Sequence, residues 1–251
     1  MQAPSYLSHR FDAIPSLHIV STQRRGGDSQ PPFEGFNLAH HVGDDPKSVN
    51  ANRARLVHHF KWHRDPVWLA QVHGTNLVEI SEDTHSYAQQ VPTADGIVCH
   101  IAEQPCAIMT ADCLPLVLAR RDGSAFACLH VGWRGLVANL VEKGVSALNM
   151  RPDSGPLLAW IGPHIGPSAF EVGDDVKQAV ATPSAAFIEG RIQGKWQFNL
   201  AKAVAERCQK VGVIEVENAD QCTYAQPDDY FSYRRDGQTG RQATIAWLSR
   251  D

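Results

Sequence analysis

The chain has 251 residues, 43% of them hydrophobic, which is enough for a substantial buried core. Its 23 basic and 27 acidic residues are mixed along the chain and leave a net charge of -4, without the single-sign blocks that mark nucleic-acid arms or acidic tails. No window is apolar over the length of a membrane span, and the opening residues lack a basic region followed by an export-length apolar run, so the expectation is a cytoplasmic protein with no membrane and no nucleic-acid partner.

Six cysteines, Cys99, Cys106, Cys113, Cys128, Cys208 and Cys222, are too few for the framework of a small secreted domain and read as reduced thiols, most of them filling core space. No repeat period is visible, and the loop-rich stretch "TQRRGGDSQPPFEG" (22–35) is too short to divide the chain, so residues 1–251 read as one domain. Nothing in the pattern chooses between monomer and homodimer.

In chain order, "LHIVS" (17–21) alternates like a strand, and "DDPKSVNANRARLVHHF" places an Asp and a Pro ahead of helically spaced apolar residues, predicting a helix over Pro46 to Phe60. "DPVWLAQVHG" reads as a strand that delivers His73 at its end. Between residues 96 and 131 the runs "GIVCH", "CAIMT", "LPLVLA" and "AFACLHV", bounded by Pro, Gly and Asp, predict the core of a sheet, with "RRDGS" as a turn. "RGLVANLVEKGVSAL" (134–148) predicts one helix whose stripe of Leu136, Val137, Leu140, Val141, Val145 and Leu148 covers a sheet face. "LLAWIG" reads as a strand, "NLAKAVAERCQKVG" as a helix capped by Asn199 and stopped at Gly212, and "VIEVE" and "QATIAWLS" as further strands. Strand runs with helices between them imply α+β or α/β layers.

If "LPLVLA" and "AFACLHV" pair through their turn, Cys113 before the first strand and His130 closing the second meet at one end of the hairpin. His73, followed by Gly74, reaches the same rim, giving one thiolate and two imidazoles, a donor set suited to zinc. Three protein ligands leave a tetrahedral ion one position for water or substrate. The spacing alone fits no short-range zinc signature, and a packed thiol beside a core imidazole explains the same residues.

"QVHG" (71–74), "TADGIV" (93–98), "TADCLPLVL" (110–118), "HVGWRGL" (130–136), "IGPHIGPSAFEVGDDV" (161–176), "CT" (222–223) and "FSYRRDGQTGRQ" (231–242) occur in one order. With "GFNLAHHVGDDPKSVNANRARL" (35–56) they span nearly the whole chain. In these motifs the sequence resembles the laccase-domain, polyphenol-oxidase-labelled family of purine nucleoside phosphorylases, whose bacterial members are also linked to peptidoglycan editing. Val131, where alanine is usual, and Thr93, where arginine is frequent, depart from its pattern.

The resemblance implies a layered α+β sandwich with helices outside two sheets, related to Cys-dependent hydrolases of the cytotoxic-necrotizing-factor type. It implies zinc on His73, Cys113 and His130, phosphorolysis of adenosine, inosine and methylthioadenosine, and deamination of adenosine. The alternative is an amide hydrolase with Cys113 as nucleophile and His130 as base, acting on peptidoglycan precursors that carry the wrong amino acid. Copper chemistry is not expected, because multicopper oxidation needs a cluster fed by His-x-His pairs and none occurs.

Further candidates have two readings each. Arg134 at the predicted helix start is a phosphate or ribose contact, or a surface arginine; Arg53 is second choice for the anion. Asp112 orients a ligand histidine or caps a turn. Asn37 and Arg53 bind the nucleoside or lock loops. His164, in "GPHIGP", lies in a loop suited to close ligand approach or to tight turns alone.

Overall fold

The computed structural model describes residues 3–82, 91–149, 155–180 and 184–250. Two sheets dominate. The first has four antiparallel strands in the order β1-β2-β13-β5, from β1 (Tyr6–His9), β2 (Leu17–Thr22), β5 (Cys106–Thr110) and β13 (Gln242–Leu248). The second has six, in the order β12-β8-β6-β7-β4-β3, from β3 (Leu77–Ile80), β4 (Gly96–Cys99), β6 (Leu114–Arg120), β7 (Phe126–Val131), β8 (Leu157–Ile161) and β12 (Val213–Asn218). Its outer pairs β12–β8 and β3–β4 are parallel and its inner pairs antiparallel, so the sheet is mixed.

The side-chain alternation of the strands assigns the layers. On β6 and β7, Val117, Ala119, Phe126 and Cys128 pack with Leu17, Ile19, Cys106, Ile108 and Ala246 of the four-stranded sheet, making a core between the two sheets. The alternate residues Leu114, Leu116, Leu118, Ala127 and Leu129 face the other way, onto α3 (Leu140–Leu148) and α5 (Leu200–Lys210). On the far side of the four-stranded sheet, Val20, Ala107, Met109 and Ile245 meet Leu56 of α1 (Pro46–Phe60). The layers are therefore helix, sheet, sheet, helix, as expected for an α+β sandwich. Each leucine removed from water in such a layer contributes about 1.5–3 kcal/mol.

α1 begins and ends where the sequence predicts, with Asp45 accepting from the Lys47 amide at 3.0 Å and Pro46 at its first position. α5 is capped by Asn199, whose side chain accepts from the Lys202 amide at 2.9 Å. The predicted helix over 134–148 is two helices, α2 (Trp133–Val137) and α3, because Asn139 takes a left-handed conformation, φ 64°, between them. Its apolar stripe still covers the six-stranded sheet, since Leu136, Leu140, Val141, Val145 and Leu148 all join that core.

The edge strands β1 and β3 lie outside the predicted set, as does a small sheet of β9 (Glu171–Gly173), β10 (Phe187–Glu189) and β11 (Lys195–Phe198), packed beside the α5 layer through Phe187 and Phe198, with α4 (Asp174–Val180) after β9. A short α6 (Tyr233–Asp236) precedes β13. No helix among the described residues is long and apolar enough to cross a membrane.

Candidate metal centre

β6 and β7 pair with Leu114 opposite Val131 and Pro115 opposite His130. Cys113, one residue before β6, therefore stands at the end of the hairpin that carries His130. The chain reaches Cys113 directly from the other sheet, as only Ala111, Asp112 and Cys113 separate the end of β5 from the start of β6. Asp112 turns this link with φ 94°, in the region an L-residue rarely adopts. Its carboxylate holds the turn: Oδ1 accepts from Thr223 Oγ1 at 2.7 Å and Oδ2 from the Arg234 amide at 2.6 Å.

His73 is not delivered by a strand. The segment before it touches the sheets at two isolated bridges, Val67 with Cys106 and Ala70 with Thr93, and is otherwise a loop. Side chains replace the missing ladder. Gln71 donates through Nε2 to the Met109 carbonyl and accepts the Met109 amide on Oε1, both at 2.8 Å, which fastens the loop to β5. His73 itself has φ 59°.

The turn around His73 is organised by Asp95, which precedes β4 and is fully buried. Its carboxylate accepts the amides of Val72, His73 and Gly74 at 3.2, 2.9 and 2.6 Å. The same carboxylate meets Nδ1 of His130 at 2.9 Å. One acidic group thus fixes the backbone of one candidate ligand and the ring of another, and leaves Nε2 of His130 for the side of Cys113. Asp112, considered for this orienting part, caps the turn instead.

The ligand atoms of His73, Cys113 and His130 lie within 4.8 Å of one another, with Cys113 Sγ 3.8 Å from His73 Nε2. A tetrahedral ion with bonds of about 2.0–2.3 Å separates its ligand atoms by roughly 3.5 Å. The donor set therefore suits a divalent ion, with the Cys113–His73 pair close to that spacing and the widest pair needing to draw in by about 1 Å to hold one. Room for a cluster this tight depends on Gly132, where a Cβ would come within 3.2 Å of Cys113 Sγ and 3.4 Å of a His73 ring carbon.

The charges are coupled. Burial raises the Cys113 thiol, but the His130 imidazolium and hydrogen bonds from His130 and His73 outweigh it and bring it down to about 6. Burial likewise lowers His130, yet the Cys113 thiolate and the Asp95 carboxylate lift it to about 9. Asp95 stays below its ordinary value, because the His130 ring and the loop amides overcome the burial that pushes it up.

His73, Cys113 and His130 form part of the wall of a cleft of about 430 Å³, a small-molecule volume. Arg134 lines it, exposed, with its guanidinium 4.4 Å from the centre of the Trp133 ring. α2 has only five residues, so the long helix dipole expected behind Arg134 is absent and its side chain alone carries any anion contact.

The other candidates are elsewhere. Arg53 donates to the Leu38 carbonyl at 2.9 Å and stacks 3.9 Å from the Trp68 ring centre, in a separate groove beside α1. Asn37 is fully buried and bonds Ala39, Asp44 and the Arg241 amide, which is the loop-locking arrangement. His164 is buried and does not line the cleft, with Nδ1 2.8 Å from the Gly162 carbonyl. Sequence reasoning missed Asp95, Gln71, His41 and Arg241. All four stand inside motifs already singled out, Gln71 two residues before the chosen His73, Asp95 in "TADGIV", His41 in "GFNLAHHVGDDPKSVNANRARL" and Arg241 in "FSYRRDGQTGRQ".

Known proteins share this chain over most of its length. The family model described as multi-copper polyphenol oxidoreductase laccase matches residues 18–249. An Escherichia coli (strain K12) protein named purine nucleoside phosphorylase YfiH is 40% identical over 232 residues, which cover 91% of this chain and 92% of the relative. A Pseudomonas aeruginosa protein, also named a purine nucleoside phosphorylase, is 39% identical over 97% of this chain and 98% of its own. Among solved structures, a Neisseria meningitidis protein matches with a TM-score of 0.89 and 35% identity, over 98% of this chain and 100% of that one. YlmD from Geobacillus stearothermophilus matches with a TM-score of 0.91 and 26% identity, over 100% and 98%. With its fold, its motifs and its gathered His-Cys-His triad in agreement, the chain belongs to the family described as multi-copper polyphenol oxidoreductase laccase.

Proposed function

We propose that the protein is a zinc-dependent purine nucleoside phosphorylase acting on adenosine, inosine and methylthioadenosine, and that the same centre deaminates adenosine to inosine. The observation that carries this reading is the meeting of His73, Cys113 and His130 on the wall of a ligand-sized cleft, in a chain whose relatives are named purine nucleoside phosphorylases. A thiolate and two imidazoles suit zinc, and multicopper oxidation needs a second, clustered site, whereas among the described residues one such group is gathered.

Zinc at this triad would supply Lewis acidity at its open position. The protein's own part is placement. Asp95 keeps Nδ1 of His130 occupied and holds the amides of the His73 loop, which fixes the orientation of the His130 ring and the position of the His73 backbone. Trp133, Phe170, Ile165 and Met109 give the cleft apolar surface for a purine, and Arg134 at the wall serves the ribose or phosphate.

A second reading has an observation of its own. Cys113, His130 and Asp95 are linked in series, with the thiol lowered and the imidazole raised, the arrangement of a cysteine nucleophile, its base and an orienting carboxylate. An amide hydrolase acting on mis-assembled peptidoglycan precursors would use it.

Metal analysis of the purified protein, combined with incubation on adenosine with and without phosphate, tests both. Stoichiometric zinc, phosphate-dependent adenine and phosphate-independent inosine, all lost on chelation, are the expected result. Amide hydrolysis that survives chelators and is stopped by thiol alkylation would replace the nucleoside reading with the hydrolase.

A further inference from the structure

The cleft is lined by three guanidinium groups, of Arg134, Arg234 and Arg241, and by a single carboxylate, that of Asp112. That carboxylate is spent, since both oxygens already accept from Thr223 and the Arg234 amide. Among the described residues none of the three arginines forms an ion pair. They differ in what else they do. Arg234 donates Nη1 to the carbonyls of Ala169 and Glu171, and Arg134 is exposed against Trp133.

Arg241 is the cation the fold has placed most deliberately. It precedes β13, and its Nη1 donates to the carbonyls of Thr239 and Gly240 at 2.8 and 2.9 Å, while Nε and Nη2 donate to no described residue. Its backbone amide is held by Asn37 Oδ1 at 2.9 Å, and that same oxygen accepts the Ala39 amide at 3.0 Å. The buried Asn37 thus ties the segment bearing Arg241 to the segment leading to His41, which lines the same cleft. Gly240 packs against them so closely that a Cβ would sit 2.9 Å from Asn37 Cβ and 2.8 Å from the Phe231 ring. A half-buried guanidinium with unused donors, held by its own loop on a cleft that the His41 imidazole also lines, suits an anion.

We propose that Arg241 and His41 form the oxyanion subsite of this cleft and take inorganic phosphate, leaving Arg134 to the ribose. The proposal rests on the phosphorolytic reading of the same site. Asn37 and Gly240 act as positioning residues for it, which gives the buried asparagine a part in function without contact to any ligand. The planar fork of an arginine matches two oxygens of a tetrahedral anion, and His41 supplies a further donor.

The test is calorimetric titration of the metal-loaded protein with inorganic phosphate at low ionic strength. Saturable binding is expected for the wild type, weakened about tenfold or more in Arg241→Ala and in His41→Ala. Arg241→Lys, which keeps the charge but not the fork, should fall between, and Arg134→Ala should stay within about twofold of wild type. Melting temperature and metal content of each variant report folding. His41→Ala keeps the test open should Arg241→Ala fail to fold, because the His41 ring bonds no described residue. Undiminished phosphate binding in the two alanine variants, or an equal loss in Arg134→Ala, overturns the subsite and leaves phosphorolysis standing. A folded, metal-loaded wild type that binds no phosphate overturns both.

Discussion

Cys128 and His130 lie two residues apart on the same face of β7, and the chemistry changes completely between them. Cys128 is packed in the core between the sheets, where burial drives its thiol far above the ordinary range. One step along the strand face, His130 is also buried but meets Asp95 on one side and Cys113 on the other, and there the thiol falls to about 6. Burial is common to both places. Cys128 has the Cys106 carbonyl for a partner, so what separates the inert thiol from the reactive one is an imidazolium beside Cys113 that stabilises its thiolate, together with the half-buried position of Cys113 on the cleft wall.

The largest effects should come from removing a ligand. His73→Ala or Cys113→Ala is expected to reduce bound metal from about one ion per chain to none, measured by elemental analysis, while the fold survives because the sheet cores are untouched. Cys128→Ala should do the reverse, keeping the metal and losing about 1 kcal/mol of stability for the cavity it leaves. Metal retained in Cys113→Ala would erase the contrast between the two thiols.

Asp95→Asn should weaken metal binding by about 10- to 100-fold in chelator competition, because the ring of His130 and the loop of His73 both lose their charged acceptor. A wild-type affinity in this variant would mean that the loop is held by its other contacts alone.

The acidity of the two thiols can be compared directly in metal-stripped protein. Alkylation of Cys113 should rise with pH through a midpoint of about 6 and level off above it, since the thiolate is the reacting form. Cys128 should stay unmodified across the same range. A Cys113 midpoint near that of an ordinary thiol would show that His130 does not stabilise the thiolate.

Gly132→Ala should cost roughly tenfold in metal affinity, about 1.4 kcal/mol, through the Cβ forced against Cys113 and His73. The smallest effect belongs to Asp122 in the turn joining β6 to β7. The hydrogen bond from Arg120, with help from Ser124, holds its carboxyl well below the usual range despite opposing desolvation. Its folded value is depressed, so its contribution is present at neutral pH and is lost as pH falls towards that value. Asp122→Asn should therefore lower stability by less than about 1 kcal/mol at pH 7, and the gap should close in acid melts without any change in metal binding.

Much of this contrast is visible in the amino-acid pattern. The apolar runs bounded by "RRDGS" predict the β6–β7 hairpin, and the hairpin predicts that Cys113 and His130 meet, because antiparallel register is a local consequence of turn and alternation. The rest of the site is not local. His73 reads as a strand end because "VWLA" is apolar, but its segment finds only two bridges and is held by side chains of Gln71 and Asp95, whose partners are other parts of the chain. Asp95 in particular looks like a turn aspartate until the fold lays residues 72–74 over it. The break at Asn139 is missed for a related reason: an asparagine inside a helical stripe costs little, and only the packing of α2 and α3 on the sheet decides that the chain bends there. The small sheet of β9 to β11 escapes because its strands are three or four residues long, too short for a period to show.

The link from Thr110 to Leu114 leaves one sheet and enters the other, and Cys113 rides on it. His130 and its carboxylate belong to the six-stranded layer, whereas the loop of His73 is fastened by Gln71 to the four-stranded one. The triad therefore straddles the seam of the sandwich. Because Asp95 also fastens the His73 loop to the six-stranded layer, a slip of one layer over the other would pull on the triad through Gln71 and through the Thr110–Leu114 link, so the seam is where sheet packing and grip on an ion meet.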